Sequence, residues 1–154
     1  MRQILSVLFV AALLPVTAAE PPGFVFWKSA DLKAYTKKLS PKVSEKKFAN
    51  EQIASWGNHS AMMVYRKGDG EAEIHEKTVD VFVVQEGRGT LVIGGSVVGG
   101  KQTGPGEIRG ASIKGGTNKP LAPGDVVHIP ANIAHQVLVA PGTEITYLIL
   151  KVDM

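Results

Sequence analysis

The sequence predicts an all-β fold, a sandwich or closed barrel, on three observations. After Gly57 the chain breaks into short β-prone runs: SAMMVYR, TVDVFVV, TLVIGG, SVVGG, VVHIP, HQVLVA and EITYLILKV. Turn signals rich in Gly and Pro separate them, at KGDG, EGRG, GGKQTGPG, KGGTNKP and APGD. Between the runs there is no apolar pattern of helical period, and no internal repeat of the kind a solenoid or propeller requires.

The first element in order is a leader. Arg2 precedes an apolar run from about Ile4 to Leu14, and small residues follow at Thr17, Ala18 and Ala19. This is the pattern of a secretory signal peptide over residues 1–19, cleaved after Ala19. The run is too short to span a bilayer, which takes about 20 apolar residues. The expectation is an exported protein, periplasmic or secreted, with no membrane attachment after cleavage.

About 135 residues then remain, enough for one core of ordinary size. There is no cysteine, so this exported chain has no disulfide and must be held by its core. Thiolate metal sites, cysteine nucleophiles and redox pairs are excluded. The chain has 17 Lys+Arg and 14 Asp+Glu; Arg2 leaves with the leader, and the remainder is close to neutral. Nucleic acid is therefore not an expected partner, since it requires a clustered basic surface.

Residues 20–57 read as an N-terminal arm. Its lysines at 28, 33, 37, 38, 42, 46 and 47 suit a solvated face. Within it SADLKAYTKKLSP predicts a short helix capped by Ser29, with Asp31 in the first turn and Leu32, Tyr35 and Leu39 on one face. Lys37 and Lys38 suit its end, and Pro41 stops it. The arm is expected to pack across the outside of the main domain or against a second subunit. Residues 58–154 form the expected barrel domain, in which residues 94–116 are the longest irregular segment and a cover for one mouth.

Chemistry-bearing residues gather in two places. In EAEIHEKTVDVFVVQEGRG, Glu73 and His75 are one residue apart and leave a strand on the same face. If Glu76-Lys77-Thr78 turns the chain, Asp80, Phe82 and Val84 point one way and Val79, Val81 and Val83 the other. In LAPGDVVHIPANIAHQVLV, Pro123-Gly124-Asp125 makes a tight turn, Val126 to Ile129 a strand, and His135 begins the next strand. His128 reads as a partly buried structural histidine. His59, ahead of the SAMMVYR run, could reach the mouth of the barrel. Ser60 and Ser112 lack the context of a nucleophile elbow, and the paired glycines are followed by no helix that would make a phosphate loop. Met62 and Met63 suit a core or a barrel lining.

The second stretch resembles the second conserved motif of the cupin superfamily: a Pro-Gly-Asp turn, a Pro five residues after the Asp, and a His five residues after that Pro. The first stretch resembles the first cupin motif, with His75 on its second histidine, Glu73 on its first, Asp80 on its glutamate and Gly87 on its glycine. The likeness runs from about Gly68 to Val139, and more narrowly is to small exported bacterial single-domain cupins. It implies a double-stranded β-helix, the cupin jelly-roll barrel, carrying a divalent metal ion at Glu73, His75, Asp80 and His135. Two imidazoles with carboxylates suit Fe, Mn, Zn or Ni and leave positions open for water or substrate. Asp80 is one methylene shorter than the usual glutamate, so it binds directly, acts through a water or merely ends a strand. Glu73 is either a ligand or a hydrogen-bond partner to one.

The function implied is that of an exported metal-dependent enzyme acting on a small organic molecule, of oxygenase or of isomerase or lyase type, with Glu73 or His59 moving a proton in the latter case. The rival is a non-catalytic module binding a small molecule or sugar. A third possibility is an interaction role for the arm. The resemblance also implies a homodimer.

Overall fold

The computed structural model describes residues 19–154, so all but Ala19 of the expected leader lies outside the described residues. Two antiparallel sheets face each other across an apolar interior. The elements are α1 (Ser29–Lys33), α2 (Tyr35–Leu39), a 3-10 turn (Ser40–Lys42), then β1 (Phe48–Trp56), β2 (His59–Arg66), β3 (Ala72–His75), β4 (Thr78–Gly87), β5 (Gly89–Ile93), β6 (Ser96–Val98), β7 (Lys101–Gly104), β8 (Glu107–Gly110), β9 (Ser112–Lys114), β10 (Thr117–Leu121), β11 (Val126–Ile129), β12 (His135–Leu138) and β13 (Ile145–Asp153). One sheet has the order β1-β2-β13-β4-β11, the other β10-β5-β12-β3-β8-β7, and β6-β9 is a separate ribbon. This is an all-β jelly roll: the strand and turn pattern predicts the packed β architecture, and the family resemblance the jelly roll. No helix among the described residues is long and apolar enough to cross a membrane.

Alternation along each strand decides which side chains enter the barrel. On β13, Ile145, Tyr147 and Ile149 join the interior cluster, and Lys151 continues that face. On β4 the interior residues are Asp80, Phe82 and Val84, as expected from a turn at Glu76-Lys77. On β2 they are Met62, Val64 and Arg66, opposite β1 and β13. The outward residues of β2, Ala61, Met63 and Tyr65, form a second cluster with Leu148, Leu32 and Leu39. Met63 therefore lies under the arm and Met62 lines the barrel.

The arm packs on the outside of the five-stranded sheet and buries Leu39 completely. Three details differ from expectation. The single helix is two short ones followed by a 3-10 turn that contains Pro41, and Ser29 lies inside α1 while Lys28 takes the cap position without a side-chain bond. Residues 48–56, read as arm, form β1, an edge strand of the sheet; the alternation of Phe48, Asn50 and Gln52 with Ala49 and Glu51 is interrupted by a register shift between Gln52 and Ala54, which hides it in the sequence. Residues 94–116 are short ribbons rather than an irregular cover, with β7 and β8 extending the six-stranded sheet.

Gly87 shows why one motif position needs glycine. Its φ is +77°, and a Cβ there would meet the Glu144 carbonyl oxygen at 2.0 Å.

Candidate metal centre

Cross-strand registry assembles the centre at one end of the barrel. On the six-stranded sheet β3 lies between β12 and β8, so Glu73 faces His135 on one side and Arg109 on the other, while His75 faces Glu107. On the opposite sheet Asp80 faces Lys151. The two motifs are also pinned together by backbone: the Asn132 amide donates to the His75 carbonyl at 2.8 Å. Asn132 takes φ +62°, a conformation Asn tolerates better than most residues.

Glu73, His75 and His135 each offer one ligand atom, and these lie within 4.8 Å of one another. An ion about 2.1 Å from each donor needs them roughly 3–4 Å apart, within reach of small side-chain rotations. Both imidazoles are oriented from behind. His75 Nδ1 sits 2.8 Å from Glu107 Oε2, and His135 Nδ1 sits 3.0 Å from the Ile133 carbonyl oxygen. Nδ1–H donated to either acceptor leaves the Nε2 lone pair free, an arrangement characteristic of metal-bound histidine. The donor set fits a divalent transition ion, and Glu73, His75 and His135 could hold one.

Asp80 stands beside this trio. Its buried carboxylate accepts from the Lys151 ammonium at 2.8 and 3.1 Å, and Oδ2 lies 3.4 Å from His75 Nε2 and 3.7 Å from His135 Nε2. Lys151 Nζ is also 3.1 Å from His75 Nε2.

The electrostatics favour a cation at this point. Burial would lower the pKa of His75, but its hydrogen bonds to Asp80 and Glu73 outweigh that and hold it at about 9. Burial would raise Glu73, yet His75 and the Arg109 guanidinium, 2.6 Å away, bring it down to about 2. Asp80 is likewise held low, against the effect of burial, by His75 and Lys151. His135 goes the other way: burial lowers it, so it is neutral at pH 7. Nε2 of His75 thus carries a proton in the field of two carboxylates, or accepts from Lys151. A metal ion held by Glu73, His75 and His135 would need that lone pair, so its binding would displace the proton.

The centre opens into a cavity of about 390 Å³ lined by residues of both sheets, among them Glu73, Asp80, His135, Phe82, Arg66 and Lys151. His59 does not line it. It lies on the outward face of β2, exposed, stacked on Trp56 at 4.9 Å and bonded to Asn58 at 3.1 Å, so strand alternation points it away from the barrel. His128 is a correction too: it is exposed, because β11 is an edge strand whose Val127 and Ile129 turn inward.

Three residues at the centre escape the sequence reading. Glu107 and Arg109 fall in a stretch read as irregular, although the sequence Glu-Ile-Arg between Gly106 and Gly110 has strand alternation. Lys151 is legible in principle, since it continues the inward series Ile145, Tyr147, Ile149.

The sequence matches no protein-family model and no curated protein. Several solved structures share the fold. TT1209 from Thermus thermophilus superposes with a TM-score of 0.55 at 17% identity, over 76% of this chain and 92% of that one. The cupin domain of Schizosaccharomyces pombe Cnp3 superposes with a TM-score of 0.52 at 8% identity, over 74% and 66% of the two chains. The DMSP lyase DddQ from Ruegeria pomeroyi gives a TM-score of 0.50 at 16% identity over 70% of this chain, which spans about half (47%) of the lyase.

Proposed function

We propose that this cupin-fold chain is a metal-dependent enzyme that moves a proton on a small organic molecule held in the barrel. The single observation carrying the proposal is the convergence of Glu73, His75 and His135 at the inner end of the cavity, within 4.8 Å of one another. A divalent ion bound there would supply Lewis acidity, polarising an oxygen of the ligand. Next to that point Lys151, partly exposed, and the buried Asp80 form an acid–base pair that lines the same cavity. The Lys151 ammonium can donate a proton and the Asp80 carboxylate can accept one, which favours an isomerase or lyase over an oxygenase. Glu107 and the Ile133 carbonyl hold the two imidazoles in orientation, and Arg109 holds Glu73. The likeness to a lyase supports this class without identifying a substrate. Export to a periplasm or beyond, resting on the leader, and a homodimer, resting on the family resemblance, belong to the same proposal.

The test is thermal unfolding of the chelator-treated chain with Fe(II), Mn(II), Zn(II) or Ni(II) added singly. At about 100 times its dissociation constant, an ion bound only by the folded state adds about 2.7 kcal/mol, and the melting temperature should rise by several degrees. No rise with any of the four ions would contradict the proposal. Tight binding of a small ligand by the loaded protein with no turnover would favour the binding module instead.

A further inference from the structure

The cavity contains four basic side chains, Lys46, Arg66, Arg109 and Lys151, and four acidic ones, Asp69, Glu71, Glu73 and Asp80. Three of the basic groups are paired. Lys46 lies 3.7 Å from Glu71, Arg109 2.6 Å from Glu73, and Lys151 2.8 Å from Asp80. Arg66 differs, having no carboxylate oxygen within 4.0 Å among the described residues.

Arg66 is nevertheless held in place. Its Nε donates to the Tyr147 hydroxyl at 2.9 Å, and its guanidinium lies 5.0 Å from the centroid of the Phe48 ring. Gly70 gives the guanidinium room: a Cβ at that position would meet Cζ, Nη1 and Nη2 at 2.9 to 3.1 Å. Neither Nη atom makes a hydrogen bond to the protein among the described residues, and neither is sealed off without a partner. A half-buried guanidinium, fixed at Nε and stacked on an aromatic ring, therefore presents free N–H groups to the cavity. The cavity wall also carries apolar side chains, Met62, Val64, Phe82, Val137 and Ile149.

We propose that Arg66 is the recognition site for the carboxylate of the cavity's ligand, a small carboxylic acid whose apolar body lies along Met62, Val64 and Phe82 toward the catalytic end. The fork of a guanidinium matches a planar carboxylate through two parallel hydrogen bonds, a geometry an ammonium cannot reproduce. A single unpaired basic group suits a monoanion better than a phosphate, whose second charge would lack a partner because the other cations already have theirs. The inference rests on the cavity being the ligand chamber proposed above and does not depend on the metal.

The experiment is calorimetric titration of the purified chain with hexanoate and benzoate, beside hexanamide, benzamide and methyl phosphate, repeated on Arg66→Gln and Arg66→Lys. The acids should bind at least about tenfold more tightly than their amides, the value of a charge-assisted hydrogen-bonded pair. Arg66→Gln should remove that preference, with Arg66→Lys in between; should Arg66→Gln not fold, Arg66→Lys decides. Equal binding of acid and amide, no binding of either acid, unchanged preference in the variants, or tighter binding of methyl phosphate would each overturn the assignment. Metal content of the same samples separates the two proposals: a chain that takes up no ion yet prefers acids refutes the metal centre and leaves Arg66 in its role.

Discussion

Replacing Lys151 by Met removes the one cation among the described residues, other than His75, in direct contact with Asp80. Met keeps the length of an unbranched side chain, so the change is chiefly electrostatic. The Lys151 side chain is 26% exposed and that of Asp80 2%, which makes this a largely buried pair, and losing one partner of a buried pair costs about 3–5 kcal/mol. The imidazolium of His75 remains 3.4 Å from Asp80 and compensates in part, so the low end, about 3 kcal/mol, applies. For a domain of this size that is roughly 10 °C in melting temperature. Metal should have the opposite response. Lys151 Nζ lies 3.1 Å from the nitrogen that would bind the ion, and removing its charge lifts a repulsion and frees Asp80, so affinity should rise by about tenfold or more. Thermal unfolding with and without ion reads both effects. The reasoning is refuted if the metal-free melting temperature moves by less than about 2 °C, or if Lys151→Met binds the ion more weakly than the parent.

Two further outcomes follow from the same geometry. Glu107→Gln removes the carboxylate behind His75 Nδ1, 2.8 Å away, and should weaken metal affinity by about 10- to 100-fold in competition with a chelating dye; unchanged affinity would show that Glu107 does not orient the ligand. In the metal-free chain, Glu73 titrates at about 2 against an ordinary 4.5, so its stabilisation is complete above about pH 4.5 and lost as pH falls toward 2. His75 titrates at about 9 against 6.5, so its stabilisation is complete below about pH 6.5 and lost as pH rises through 9. Because burial lowers His135, which costs stability as the pH falls below about 6.5, the melting temperature should be highest near pH 6.5, and bound metal, which needs His75 neutral, should abolish the alkaline decline. A flat metal-free profile from about pH 5 to 9 would contradict the charge assignments.

Much of this arrangement is legible from residue pattern. The alternation at Asp80, Phe82 and Val84, the turn at Glu76-Lys77 and the shared face of Glu73 and His75 follow from strand parity, a local property that sequence carries directly, and the fold brings Glu73, His75 and His135 within 4.8 Å of one another. What escapes depends on partners distant in sequence. Glu107 and Arg109 matter only because β8 pairs with β3, and Lys151 only because β13 sets it opposite Asp80. Parity also explains the two histidines that sequence reading misplaces. His59 sits one residue out of phase with the inward series of β2, and the burial expected of His128 ignores that β11 is an edge strand. Asp80 stands beside the trio of Glu73, His75 and His135 with its carboxylate on Lys151, a contact no motif displays.

The most direct test of the metal centre is elemental analysis of the chain purified without a histidine tag, beside a His75→Ala/His135→Ala double variant whose folding is checked by circular dichroism. About one divalent ion per chain in the parent and none in the folded variant is the predicted result, since removing both imidazoles leaves too few donors. No ion in the parent even after reconstitution, or the same ion content in both proteins, would contradict it.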